Sequence, residues 1–103
     1  MPVYNAPLRD LKFVYNELFD ADDLQQLPGF EEATPDLVEA ILEEAGKFCE
    51  NELLPLNQVG DQEGCKFEDG KVTAPPGFKE AYDAFHENGY AALIAPPEYG
   101  GQG

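Results

Sequence analysis

Apolar and polar positions alternate along this chain with two different periods, and the periods divide it into elements. Leu8, Leu11, Val14, Tyr15, Leu18 and Phe19 recur at helical spacing, which predicts a short helix with one apolar stripe. Residues 1–7 ahead of it read as an extended arm, because Pro2 and Pro7 have no backbone N–H to donate. The stretch "DADDLQQLPGF" leaves room for one more turn of helix before Pro28 and Gly29 break it.

The strongest periodicity begins at Thr34. Threonine suits an N-cap, Pro35 suits the first helical position, and Asp36 suits the positive end of the helix dipole. Leu37, Val38, Ile41, Leu42, Ala45, Phe48, Cys49, Leu53 and Leu56 then follow a period of about 3.6 residues. Pro55 cannot bond back to the carbonyl of Asn51, so a kink is expected there, with the helix fraying soon after. Cys49 lies on the stripe and reads as a core thiol.

The period changes to two in "CKFEDGKVT". Asp69-Gly70 suits a type I′ turn, whose two central residues both need positive φ. That loop sets Glu68 opposite Lys71 and Phe67 opposite Val72, and so small a hairpin is expected to lean on a helix. Pro75 and Pro76 mark the entry to a third helix with the stripe Phe78, Ala81, Tyr82 and Phe85. Asn88 as C-cap, Gly89 in the left-handed position and a Phe85–Tyr90 contact form a Schellman end. His86 falls in the last turn, where positive charge is favoured. "YAALIA" then reads as extended up to Pro96-Pro97, and "GGQG" as a loose loop. The elements describe a mostly α fold: a small helical domain of three main helices with one short β-hairpin. The 103 residues suffice for one domain with a core of its own.

Charge narrows the choice of partners. The chain has 21 acidic and 6 basic residues, a net charge of −15. Phosphate recognition needs clustered Lys and Arg, and none exists here, so nucleic acid and anionic membrane surfaces are disfavoured. Between Glu17 and Glu52 the only base is Lys47. This run is either a solvated acidic surface or a face for a basic partner. No apolar run approaches the roughly 20 residues of a membrane span. The start resembles neither a secretory signal nor a transit peptide, so the expected compartment is the cytoplasm. Two cysteines, Cys49 and Cys65, are too few for a disulfide framework.

Candidate chemistry fails at each attempt. With Asp61 as the first residue of a calcium loop, Lys66 occupies the glycine position and Val72 the glutamate position; starting from Asp20, Gln25 occupies the glycine position. Cys49, Cys65 and His86 do not have the spacing of a zinc site. The chain has no serine and a single histidine, so a nucleophilic triad is unsupported. "GGQG" is not followed by the helix that a dinucleotide fingerprint requires. No catalytic, cofactor-binding or metal-binding residue is assigned.

Read end to end, the chain resembles the N-terminal region of the flavin-dependent acyl-CoA dehydrogenases. The resemblance is carried by "LLPLN", "GDQEG", "GKV" with "PPGFKEAY", "ENGY" and "PPEYGGQG", in that order and spacing. The front, "YNAPLRDLKFVYNELFD", is similar to the extra N-terminal arm of one branch. One departure is Tyr90, where many members carry Trp; both rings fill the cap contact. The resemblance implies residues 1–33 as arm and short helix, and residues 34–103 as the N-terminal helical domain, ending in the linker to an absent β domain. The chain would then be a fragment of a larger multidomain, homo-oligomeric enzyme. That parent would use FAD to oxidise an acyl-CoA to the 2,3-enoyl-CoA, with a carboxylate base taking the α-proton. The resemblance also allows a sulfur-containing acyl-CoA beside a plain fatty acyl-CoA. The base and most flavin contacts would lie in the missing domains. This chain alone would hold no cofactor, be inactive, pack against the remaining domains and help wall the acyl chamber. The rival reading is a free-standing acidic protein-interaction module.

Overall fold

The computed structural model describes residues 3–103, so Pro2 of the predicted arm lies outside the described residues. These residues form two compact units, Tyr4–Glu50 and Asn51–Gly103 with Val3.

In the first unit, α1 (Leu8–Phe13) passes into a π-helical turn, Val14–Leu18, and then α2 (Ala21–Gln25) and α3 (Pro35–Phe48) follow. The predicted first helix is present, but its second half is wound more widely than an α-helix. Asp20, at φ 52°, caps α2 by accepting a hydrogen bond from the Asp22 amide. Thr34 caps α3 as expected: its Oγ1 accepts from the Leu37 N–H at 3.3 Å, and Pro35 opens the helix. Helix α3 carries a buried glycine, Gly46. A Cβ there would stand 3.0 Å from the Ala6 Cβ, so the N-terminal arm runs against this turn. The arm is tied down by the Ala6 N–H, which donates to the Glu50 carboxylate at 2.8 Å.

The second unit begins with α4 (Leu54–Glu63), preceded by a π-helical turn at Cys49–Leu53. The sequence expectation of fraying soon after Pro55 is corrected here, since helix continues to Glu63. The π turn already interrupts the regular i→i−4 ladder, and Pro55 falls in the first turn of α4, where its missing N–H is least costly. Strands β1 (Lys66–Glu68) and β2 (Lys71–Thr73) pair antiparallel in the expected register, Phe67 opposite Val72 and Glu68 opposite Lys71. Asp69 and Gly70 have φ of 50° and 76°, as a type I′ turn requires. The hairpin does not lean on a helix, however: every strand residue is exposed.

Helix α5 (Phe78–Glu87) ends as predicted. Gly89 sits at φ 80°, its N–H donates to the His86 carbonyl, and the Phe85 and Tyr90 rings lie 5.8 Å apart. "YAALIA" is not extended. Tyr90–Ala92 form a 3-10 turn, and Leu93 and Ile94 continue in turns. A second 3-10 turn covers Pro97–Tyr99. The terminal loop is tied rather than loose: the amides of Gly101, Gln102 and Gly103 donate to the carbonyls of Pro96, Ala92 and Ala95.

The core is small. Among the described residues, Ala21 in the first unit and Ala81 in the second are the buried apolar side chains, Gly46 and Pro75 are buried as well, and no large side chain is fully enclosed. The α3 stripe is mostly half-buried, Leu37 is exposed, and Cys49 is half-buried rather than sealed in a core. Periodicity marks which face seeks cover; it does not supply the cover.

Candidate functional site

A concavity lies in the second unit, between α4 and α5. It is an open groove of about 450 Å³ lined by Leu53, Leu56, Asn57, Phe78, Ala81, Tyr82 and Phe85. Two glycines bring its walls together. A Cβ on Gly60 would stand 2.7 Å from the Phe78 ring, and one on Gly77 would stand 2.6 Å from Leu56. The helices therefore approach closely where a side chain is missing. The α5 stripe was legible in the sequence. Its pairing with Leu53, Leu56 and Asn57 was not, although a glycine inside a helical pattern is a recognisable mark of close packing.

The chemistry of this groove is almost wholly apolar. Its polar groups are the Asn57 amide and the Tyr82 hydroxyl, and it has no cation for a phosphate and no carboxylate for proton transfer. His86 is exposed and stacks edge-on against Tyr82, with ring centroids 4.4 Å apart. Cys49 and Cys65 are free thiols, half-buried and exposed. Among the described residues no three of His, Cys, Asp and Glu come together to hold a metal ion. The terminal glycine loop does not form an anion cradle either, because its amides already donate within the chain. The groove itself is an apolar surface.

A second hollow, of about 710 Å³, lies in the first unit between Arg9, Lys12, Phe13, Asn16, Glu17 and Glu39. Its charges are already balanced. Lys12 Nζ lies 2.8 Å from Glu43 and 3.9 Å from Glu39, and the Asn16 amide donates to Glu39 at 3.1 Å. The hydrogen bond to Glu43 raises the Lys12 ammonium above its ordinary pKa, and the same bond lowers the Glu43 carboxyl. This network pins α1 to α3.

Exposed apolar side chains are the more telling feature. Val14, Leu18 and Ile94 are exposed, with Ile94 at 95%. Leu93 is half-buried, because the 3-10 turn folds the tail back on itself. Phe13, Phe19, Phe30, Phe67, Val72, Tyr82 and Tyr99 are also exposed. Among the described residues, no helix is long and apolar enough to cross a membrane.

Each of the two units is a small, mostly helical body with exposed apolar side chains. No family profile matches the sequence. Two curated proteins do. The 3-methylmercaptopropionyl-CoA dehydrogenase of Ruegeria pomeroyi is 40% identical over 100 residues, covering 97% of this chain and 17% of the relative. The butyryl-CoA dehydrogenase of Syntrophomonas wolfei is 33% identical over 90 residues, covering 84% of this chain and 15% of the relative. The chain's homologues are acyl-CoA dehydrogenases, and it spans about one sixth of the length of these two relatives.

Proposed function

We propose that this chain is the N-terminal helical portion of an FAD-dependent acyl-CoA dehydrogenase, whose full-length product oxidises an acyl-CoA thioester to the 2,3-enoyl-CoA. The observation that carries this reading is the extent of the similarity, 40% identity over 97% of the chain. FAD in the parent would accept the hydride. No residue of this chain is assigned to holding it.

The part played by these residues is structural. The α4–α5 groove and the exposed apolar faces would pack beside the remaining domains, exclude water and help wall the acyl chamber. The net charge of −15 agrees with this division of labour, since coenzyme A is itself polyanionic and its phosphates would be gripped elsewhere. Alone, the chain would be inactive.

The test is expression of the complete reading frame, followed by flavin spectroscopy and turnover with a panel of thioesters. The panel should include butyryl-CoA and 3-methylmercaptopropionyl-CoA, the substrates in the relatives' names. Bound flavin and dehydrogenation of at least one thioester are expected. A colourless, inactive product would overturn the reading.

A further inference from the structure

Of the five asparagines, Asn88 alone is followed by glycine; the others precede Ala6, Glu17, Glu52 and Gln58. That pair is chemically distinct. A side-chain amide can be attacked by the backbone nitrogen of the next residue. Glycine, with no Cβ, neither blocks the approach nor restricts the torsions it needs. Asn88 is exposed at the C-cap of α5, so water reaches it. The helix end nevertheless holds both reacting groups. The Asn88 Nδ2 donates to the Ala84 carbonyl at 2.8 Å, and the Gly89 N–H donates to the His86 carbonyl at 3.0 Å. Asn88 has ψ −3°, whereas ring closure needs the Gly89 nitrogen turned to eclipse the Asn88 Cβ. The Phe85 and Tyr90 rings, 5.8 Å apart, clasp the turn in its closed form.

We propose that Asn88-Gly89 is a site of spontaneous deamidation that the Schellman end of α5 keeps closed, and that its product loosens that end. In the reaction, the Gly89 nitrogen forms a bond to Asn88 Cγ, the Cγ–Nδ2 bond breaks, and ammonia leaves with the Gly89 amide proton. Water then opens the succinimide at either carbonyl, leaving aspartate or isoaspartate. Either product loses the donor to Ala84 and sets a carboxylate at the negative end of the helix dipole. The turn that weakens carries Phe85, part of the wall of the α4–α5 groove. This chemistry needs only the end of α5 and is independent of the functional reading above.

The full-length product would be incubated in mildly alkaline buffer, native and in urea, and conversion at residue 88 followed by peptide mapping with mass spectrometry. Conversion is expected in urea, with native conversion slower by about tenfold or more, because only the opened helix end reacts. Tyr90→Ala removes the ring contact and should speed native conversion several-fold while leaving the rate in urea unchanged; Phe85→Leu serves if that variant does not fold. Asn88→Asp copies one product and should speed hydrogen exchange at the last-turn amides of α5. No conversion in urea, or equal rates in the native and unfolded protein, would overturn the proposal. So would an Asn88→Asp variant whose α5 end exchanges at the wild-type rate.

Discussion

Gly77 and Leu56 meet at a point where no side chain can stand between them. Gly77 opens α5 at φ 86°, and a Cβ on it would lie 2.6 Å from the Leu56 Cδ2 of α4. The turn and the helix contact therefore depend on the same missing methyl group.

Gly77→Ala meets two obstacles, a left-handed backbone and a steric contact. Gly29 has a similar φ of 92° with nothing within 4 Å, so Gly29→Ala meets only the first. The left-handed conformation costs a non-glycine residue about 1–2 kcal/mol, and overpacking adds about 1–3 kcal/mol. Urea unfolding should show Gly77→Ala as the more destabilised of the two. Equal losses would mean that Leu56 yields without cost.

The cap of α3 is open to a simpler measurement. The Thr34 hydroxyl satisfies the Leu37 N–H. Thr34→Ala should lower stability by about 1 kcal/mol, and Thr34→Ser should retain most of it. Loss of the same size in both variants would place the effect in packing by the threonine methyl.

The Lys12–Glu43 pair sets a pH window. Glu43 has a folded pKa lowered below 4.5, so its contribution is present above that value and lost as pH falls through the folded pKa. Lys12 has a folded pKa raised above 10.5, so its contribution is present below that value and lost as pH rises through the folded pKa. The pair therefore contributes fully between these limits. In thermal melts across pH, Lys12→Met should shrink the acid-side fall, and added salt should do so in part, because the pair is half-exposed. An unchanged acid limb in the variant would show that other carboxylates account for it.

Apolar exposure and acidity oppose each other in this chain. Phe19, Phe67, Ile94 and Tyr99 are all more than half exposed, which favours self-association, while a charge of −15 resists it. Salt screens the repulsion. Light scattering should therefore show assembly growing with ionic strength, together with binding of an apolar dye. A salt-independent monomer that binds no dye would mean these side chains find cover within the chain.

The sequence alone determined the local events. Thr34-Pro35 announced a helix start, Asp69-Gly70 a type I′ turn with Phe67 opposite Val72, and Asn88-Gly89 a Schellman end, because each is settled by a few neighbouring φ angles and hydrogen bonds. The order of its motifs also sufficed for the family resemblance, which the curated relatives bear out. Tertiary structure decided what periodicity leaves open. The π turn ahead of Pro55 carried the helix on to Glu63, and the tail coiled where an extended run was expected. Gly60 and Gly77 fixed which residues line the groove, and the hairpin stayed uncovered. An apolar stripe states only that a face prefers to leave water; which surface receives it depends on contacts between residues far apart in the chain, and those have no local signature.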